Sequence, residues 1–173
     1  MNVASWLASA VLFVLPAYVA NGSPVVMARI VKRRHPIDFG KKFVDGRRVL
    51  GDSKSIEGFV CGVATGTLTG FVEGIVFGNP SLWTWRGLLL SVGAMVGDCV
   101  GSFIKRRMGL APGKPMPLLD QLTFLLFAMA FAYLGHAYTL SLGQALFLVA
   151  ITPVIHYATN VVAYKLKLKE VPW

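Results

Sequence analysis

Five predominantly apolar stretches alternate with polar, basic segments along the chain, at about 3–20, 56–78, 86–104, 121–140 and 142–163. Each is close to the roughly 20 residues an α-helix needs to cross a hydrocarbon layer. The pattern predicts an all-α, integral membrane bundle of five transmembrane helices, forming one domain over residues 1–173. Two longer polar loops, 21–55 and 105–120, join the helices at one face. The first stretch has no basic residues before its apolar run and no clear small-x-small end. It therefore reads as a retained helix rather than a signal peptide.

The loop 21–55 is rich in turn formers: Asn21-Gly22-Ser23-Pro24, Asp45-Gly46 and Gly51-Asp52-Ser53. Residues 25–31 could lie along the interface as an amphipathic piece. Asp52 or Ser53 is the expected N-cap of the second helix. That helix carries Gly58, Gly62, Gly66, Gly70, Gly74 and Gly78, and the third carries Gly93, Gly97 and Gly101. Glycines at every fourth position let another helix backbone approach closely, so the second and third helices are expected to pack tightly.

Composition sharpens the class. The chain is 55% apolar and 14% charged, with a mean hydropathy of +0.62, which excludes disorder and an ordinary soluble domain. Charge then orients it. Nine Lys and Arg fall within 21–55, four within 105–120 and three after 163, while Arg86 alone lies opposite. Basic loops stay on the cytoplasmic side, so the N-terminus is expected outside and the C-terminus inside, at the cell membrane. Trp83 and Trp85 fall in the short outer connection, where aromatic side chains favour the interface. The net charge of +9 lies at the rims of the spans, so anionic lipid head groups and phosphates are expected partners, and nucleic acid is not. Cys61 and Cys99 have neither zinc-site nor redox-pair spacing and read as packing residues.

The candidate chemistry lies at the basic rim. On a helix Asp98, Ser102 and Lys105 share one face, with Lys105-Arg106-Arg107 at the end and Lys114 and Asp120 beyond a Gly/Pro loop. A carboxylate inside a membrane helix is a functional-site hypothesis, although Asp98 could instead form a structural ion pair with Lys105. Asp120 could be a plain helix cap or, with Asp98, half of a two-carboxylate Mg²⁺ site of the kind completed by substrate phosphates. The four cations would then face those phosphates, or they could simply serve topology. Asp52, Ser53 and Lys54, with Arg47 and Arg48, resemble a phosphate cradle in composition, although a solvated basic loop would look the same. No GxxxxGK[ST] or GxGxxG occurs. Asn21 lies at the start of the loop, and Thr152, His156 and Asn160 align on one face of the last helix, where they could contact ligand or bond between helices. Glu57 could touch the site or favour its helix start. Glu73 and His136 lie toward the outer side and are given no role.

Several of these residues together resemble a known signature. Ser102-Phe-Ile-Lys105-Arg106, then Lys114, Pro117 and Asp120, resembles the CDP-diacylglycerol synthase superfamily, without the His-Gly-Gly and second Asp of the bacterial pattern. Asn21-Gly-Ser-Pro24, Asp45-Gly-Arg-Arg48, Leu50-Gly-Asp52-Ser-Lys54, Gly97-Asp98 through Arg107, Pro117 to Gln121, Thr152-Pro153 with His156 and Asn160, and the Val171-Pro-Trp173 ending are similar to the archaeal CDP-archaeol synthase family. That resemblance implies five spans, Mg²⁺ as cofactor, and cytidylyl transfer from CTP to an isoprenoid ether-lipid phosphate. Asp98, Asp120 and Lys105 would be catalytic, with Asp98 and Asp120 on the metal. Asp52, Ser53, Lys54, Ser102, Arg106, Arg107 and Lys114 would join Lys105 on the nucleotide. Asn21, Arg47, Arg48, His156 and Asn160 would support them. The competing class is a transporter or channel for phosphate-like anions, which could use the same basic rim. A CDP-alcohol transferase would need an Asp-x-x-x-Asp pattern that the chain lacks.

Overall fold

In a computed structural model, which describes residues 2–171, the chain forms helices α1 (Val3–Ile30), α2 (Ile56–Phe77), α3 (Pro80–Arg107), α4 (Leu119–Leu134) and α5 (Leu142–Lys165). Pro172 and Trp173 of the terminal motif lie outside the described residues. Four helices are long and apolar enough to cross a membrane. The fifth, α4, is apolar but has 16 residues, roughly 24 Å of helix.

The helix boundaries differ from the expected ones for identifiable reasons. The turn formers Asn21–Pro24 do not break α1, which runs on to Ile30 and takes in the residues expected along the interface. Pro24 cannot donate to the carbonyl of Ala20, but the Ser23 hydroxyl donates to that carbonyl at 3.1 Å and satisfies it. The cap of α2 is Ser55, whose Oγ accepts from the Gly58 N–H at 3.1 Å; Asp52 is held instead by Arg48 at 2.8 Å. Asn79, in the left-handed region at φ 61°, caps α3 ahead of Pro80. This moves Trp83 and Trp85 from a connection into the helix. The end of α4 comes early because His136, at φ 55°, closes a left-handed turn. Its N–H donates to the Tyr133 carbonyl, the Ala137 N–H donates to the Ala132 carbonyl, and Trp85 Nε1 donates to the Gly135 carbonyl.

Helix α3 is central, packed on α1, α2 and α4, while α5 touches only α1 and α4. The two glycine strips do not simply face each other. A Cβ on Gly70 would sit 2.5 Å from the Trp83 carbonyl and 2.8 Å from Gly87 Cα, and one on Gly62 would strike the Ala20 carbonyl, so α2 nests against both α1 and α3. A Cβ on Gly93 would lie 2.6 Å from the Phe127 carbonyl, so the strip on α3 serves α4. Phe13, Val14, Leu90, Ala94, Phe124, Leu125 and Leu148 fill the space between the helices. Gln144 and Thr152 tie α5 to α1: Gln144 Nε2 donates to the Trp6 carbonyl and to Ser9 Oγ, and Thr152 Oγ1 lies 2.6 Å from the Tyr18 hydroxyl. Cys61 and Cys99 are free thiols.

Candidate active site

A cavity of about 570 Å³ opens at the basic end of the bundle, lined by all five helices and by both loops. Its chemistry follows from where the helices end. Helix α3 carries Asp98 inward and Lys105 and Arg106 toward the rim. Loop 31–55 returns to α2 and delivers Ser53 and Lys54, and α4 starts with Asp120 in its first turn. Lys54 Nζ lies 2.5 Å from Asp98 Oδ2, and Lys105 Nζ lies 2.6 Å from Asp120 Oδ1. Each carboxylate thus takes its cation from a different element. Asp98 does not pair with Lys105 on its own helix. Asp120 does not cap α4; its Oδ2 accepts from the Met116 N–H at 2.9 Å and so ties the preceding loop to the first turn of the helix.

Six cationic side chains line this space against the two carboxylates: Arg34, Lys54, Lys105, Arg106, Lys114 and Lys169. Arg106 is buried; its Nη2 donates to the Ala111 carbonyl at 3.2 Å, but its Nε and Nη1 have no hydrogen-bond partner among the described residues. Six cations against two carboxylates leave the cavity with an excess of positive charge, which favours an anion there. Asn21, Ser102, His156 and Asn160 line it as well, with Asn160 Nδ2 and His156 Nδ1 3.2 Å apart.

Four of the expected residues, and Glu57, lie off the cavity wall. Arg107 is clamped between the Phe43 and Phe103 rings, at 4.8 and 4.7 Å, and reaches Asp45 and the Arg48 carbonyl. Arg47 Nη1 donates to the Arg107 carbonyl at 2.6 Å, capping the end of α3. Arg48 joins Asp38 and the exposed Asp52. Glu57 binds the His35 ring at 2.5 Å and the His35 N–H. These contacts fasten loop 31–55 to α2 and α3 and thereby set Lys54.

Asp38 organises that loop and was not singled out from sequence. Its side chain is 1% exposed; it accepts from Arg48 and from the N–H groups of Leu50, Gly51 and Gly40. Burial alone would raise its carboxyl, but the Arg48 guanidinium and the three backbone donors outweigh this and hold it well below the usual carboxylate range. The signal available was Asp two residues before Gly, the composition of an Asx-turn. Lys169 was also missed; in sequence nothing separates it from Lys165 and Lys167.

A family model described as CarS-like: CDP-archaeol synthase matches residues 3–173. The CDP-archaeol synthase of Pyrococcus furiosus is 49% identical over 164 residues, covering 93% of this chain and 95% of that protein. That of Methanococcus aeolicus is 44% identical over the full length of both. The fold is also similar to a solved intramembrane enzyme for archaeal membrane lipid biosynthesis, with a TM-score of 0.80, 39% identity, and coverage of 90% of this chain and 94% of that one. A multi-pass helical membrane protein with a basic cavity at one end of its bundle, this chain belongs to the CDP-archaeol synthase family.

Proposed function

We propose that this chain is a CDP-archaeol synthase, transferring the cytidylyl group of CTP to a phosphorylated isoprenoid glycerol ether lipid (unsaturated archaetidic acid) with release of pyrophosphate. The observation that carries the reading is the cation excess around two lysine-paired carboxylates. The names of the relatives supply the chemistry this arrangement would serve. In this proposal the basic end faces the cytoplasm and the N-terminus lies outside.

The lipid phosphate is already an anion, so attack on the α-phosphorus of CTP needs no strong base. A new P–O bond forms, the α–β bridge breaks, and the electron pair leaves with pyrophosphate. Alignment and neutralisation of charge then supply most of the rate. Lys105, Arg106 and Lys114 neutralise the β- and γ-phosphates, and Lys54, Ser53 and Ser102 line the approach to them. Asp52, Arg47, Arg48 and Arg107 act by holding the loop that carries Lys54. Among the described residues no three His, Cys, Asp or Glu side chains cluster. Two carboxylates beside phosphate-binding cations do fit Mg²⁺, which commonly takes one or two carboxylates and completes its shell with phosphate oxygens and water. Asp98 and Asp120 would hold it, and it would supply charge neutralisation across the triphosphate. The two lysines paired with them are then free to turn toward phosphate oxygens.

The test is formation of CDP-lipid from labelled CTP and the ether-lipid phosphate by purified protein, with and without Mg²⁺. CTP-dependent product is expected, and Asp98→Asn and Asp120→Asn should abolish most of it. Near-wild-type turnover in either variant would sink the metal assignment. Anion flux into liposomes with no CTP consumed would replace the enzymatic reading by transport.

A further inference from the structure

Between α1 and α2 the chain folds into two tight turns that follow one another. In the first, Asp38 Oδ1 accepts from the Gly40 N–H at 3.1 Å, the Lys41 N–H donates to the Asp38 carbonyl at 2.8 Å, and Phe39 sits at φ 46°. The second is a hairpin over 41–49. Its Phe43 N–H donates to the Arg47 carbonyl at 2.8 Å and its Val49 N–H to the Lys41 carbonyl at 3.0 Å, while Gly46, at φ 75°, closes the tip by donating to the Phe43 carbonyl. Each turn presents one apolar side chain outward: Phe39 is 69% exposed and Val44 is 94% exposed. The left-handed region is unfavourable for a bulky residue, so Phe39 holds a strained backbone to place a ring that the chain itself leaves uncovered.

The hairpin lies on the flank of the bundle, off the cavity wall. Phe43 meets Phe103 edge to face, with ring centroids 5.3 Å apart, and Phe103 is one turn short of the end of α3. On that helix Phe103 shares a face with Trp85 and Val96. This face differs from the one that Gly93, Gly97 and Gly101 turn to α4 and from the one that brings Asp98, Ser102 and Lys105 to the cavity. Trp85 is exposed, and Val96 and Phe103 are half-buried, so this flank faces lipid. The hairpin meets it just before the basic run Lys105–Arg107, the level at which hydrocarbon gives way to head groups. Charge adds a second constraint. Both acids of the segment are already paired, Asp38 with Arg48 and Asp45 with Arg107, which leaves the exposed Lys41 and Lys42 with no ion-pair partner among the described residues. Apolar tips beside unpaired lysines at head-group level suit an anionic bilayer surface.

We infer that the Phe39 turn and the 41–49 hairpin form an interfacial anchor, which inserts Phe39 and Val44 among anionic lipid head groups while Lys41 and Lys42 meet their phosphates. The inference needs the basic end of the bundle to lie at a membrane surface and is independent of the reaction proposed above. It bears on the site through Asp38, which also binds the Leu50 and Gly51 N–H groups a few residues before Lys54 reaches Asp98. An anchored hairpin therefore steadies the segment that delivers Lys54.

Spin labels test the anchor. The full chain carries Val44→Cys or Phe39→Cys, with the free thiols removed by Cys61→Ala and Cys99→Ala, in nanodiscs of phosphatidylcholine alone or mixed with phosphatidylglycerol. In the mixed bilayer oxygen, which concentrates in hydrocarbon, should relax both labels more than an aqueous nickel chelate does. Lys41→Gln with Lys42→Gln should shift the label at Val44 toward the chelate, since each lysine near an anionic surface contributes about fivefold to the inserted population. High salt should shift it the same way. Stronger relaxation by the chelate at both positions in both bilayers would overturn the anchor. An equal depth in the two bilayers, unmoved by loss of the lysines, would overturn its preference for anionic lipid. Labels shielded from both reagents, with spin–spin broadening between copies, would make the surface a contact with a second copy instead.

Discussion

Replacing Asp38 by Ala tests the claim that one buried carboxylate holds the loop that carries Lys54. The change removes the Arg48 pair at 2.7 Å and the acceptor for the Leu50, Gly51 and Gly40 N–H groups. Removing one partner of a buried ion pair costs about 3–5 kcal/mol. Arg48 keeps Asp52 as a partner, and its side chain is 28% exposed, so water can solvate it and the cost lies at the lower end. About 3 kcal/mol, at 1.36 per tenfold, raises the open population of the loop roughly a hundredfold. Hydrogen exchange of residues 38–54, followed by mass spectrometry, reads that ratio directly. A faster exchange of about two decades is expected there, with α3 and α4 unchanged and turnover lowered because Lys54 is no longer placed. Exchange within about threefold of wild type would refute the reasoning, since even one orphaned buried N–H is worth about 1–3 kcal/mol.

The same carboxylate gives a pH dependence: its folded pKa is depressed, so its stabilisation is complete above the unfolded value of about 4 and is lost as pH falls below it. Protection of 38–54 relative to the intrinsic exchange rate at each pH should fall below about pH 4 in wild type and stay flat in Asp38→Ala. Gly70→Ala puts a methyl group against the backbone of α3 and should lower the melting temperature in detergent by about 5 °C, whereas Gly22→Ala, with open space around it, should raise it by about 2 °C; the reverse order would refute the close packing of α2 on α3. Lys167 follows α5 at φ 58°, in a left-handed turn. Lys167→Gly should relieve about 1 kcal/mol at that turn and slow exchange of residues 167–169; faster exchange would argue against it. Ser23→Ala leaves the carbonyl freed by Pro24 unsatisfied and should cost about 1 kcal/mol, read as faster exchange around residues 20–27.

The sequence by itself determined the helical membrane class, the basic end and the placement of Asp98 and Asp120 near it. These follow from transfer free energy and helical period, which act along short stretches of chain. It also determined that α2 and α3 would pack closely, because glycine at every fourth position is a local signal. Which backbones meet those strips was decided by tertiary structure: α2 lies on α1 and α3, and α3 lies on α4. The pairing of Lys54 with Asp98, across 44 residues, was likewise illegible, because local spacing favours the i, i+7 partner Lys105. Helix ends were misread wherever a side chain satisfied the backbone unexpectedly, as Ser23 does beside Pro24 and His136 does after α4. Lys169 shows the limit most clearly. Its position in the cavity depends on a left-handed lysine, a turn most often marked by glycine, and on contacts to α1 and α5 that exist only once the bundle has closed.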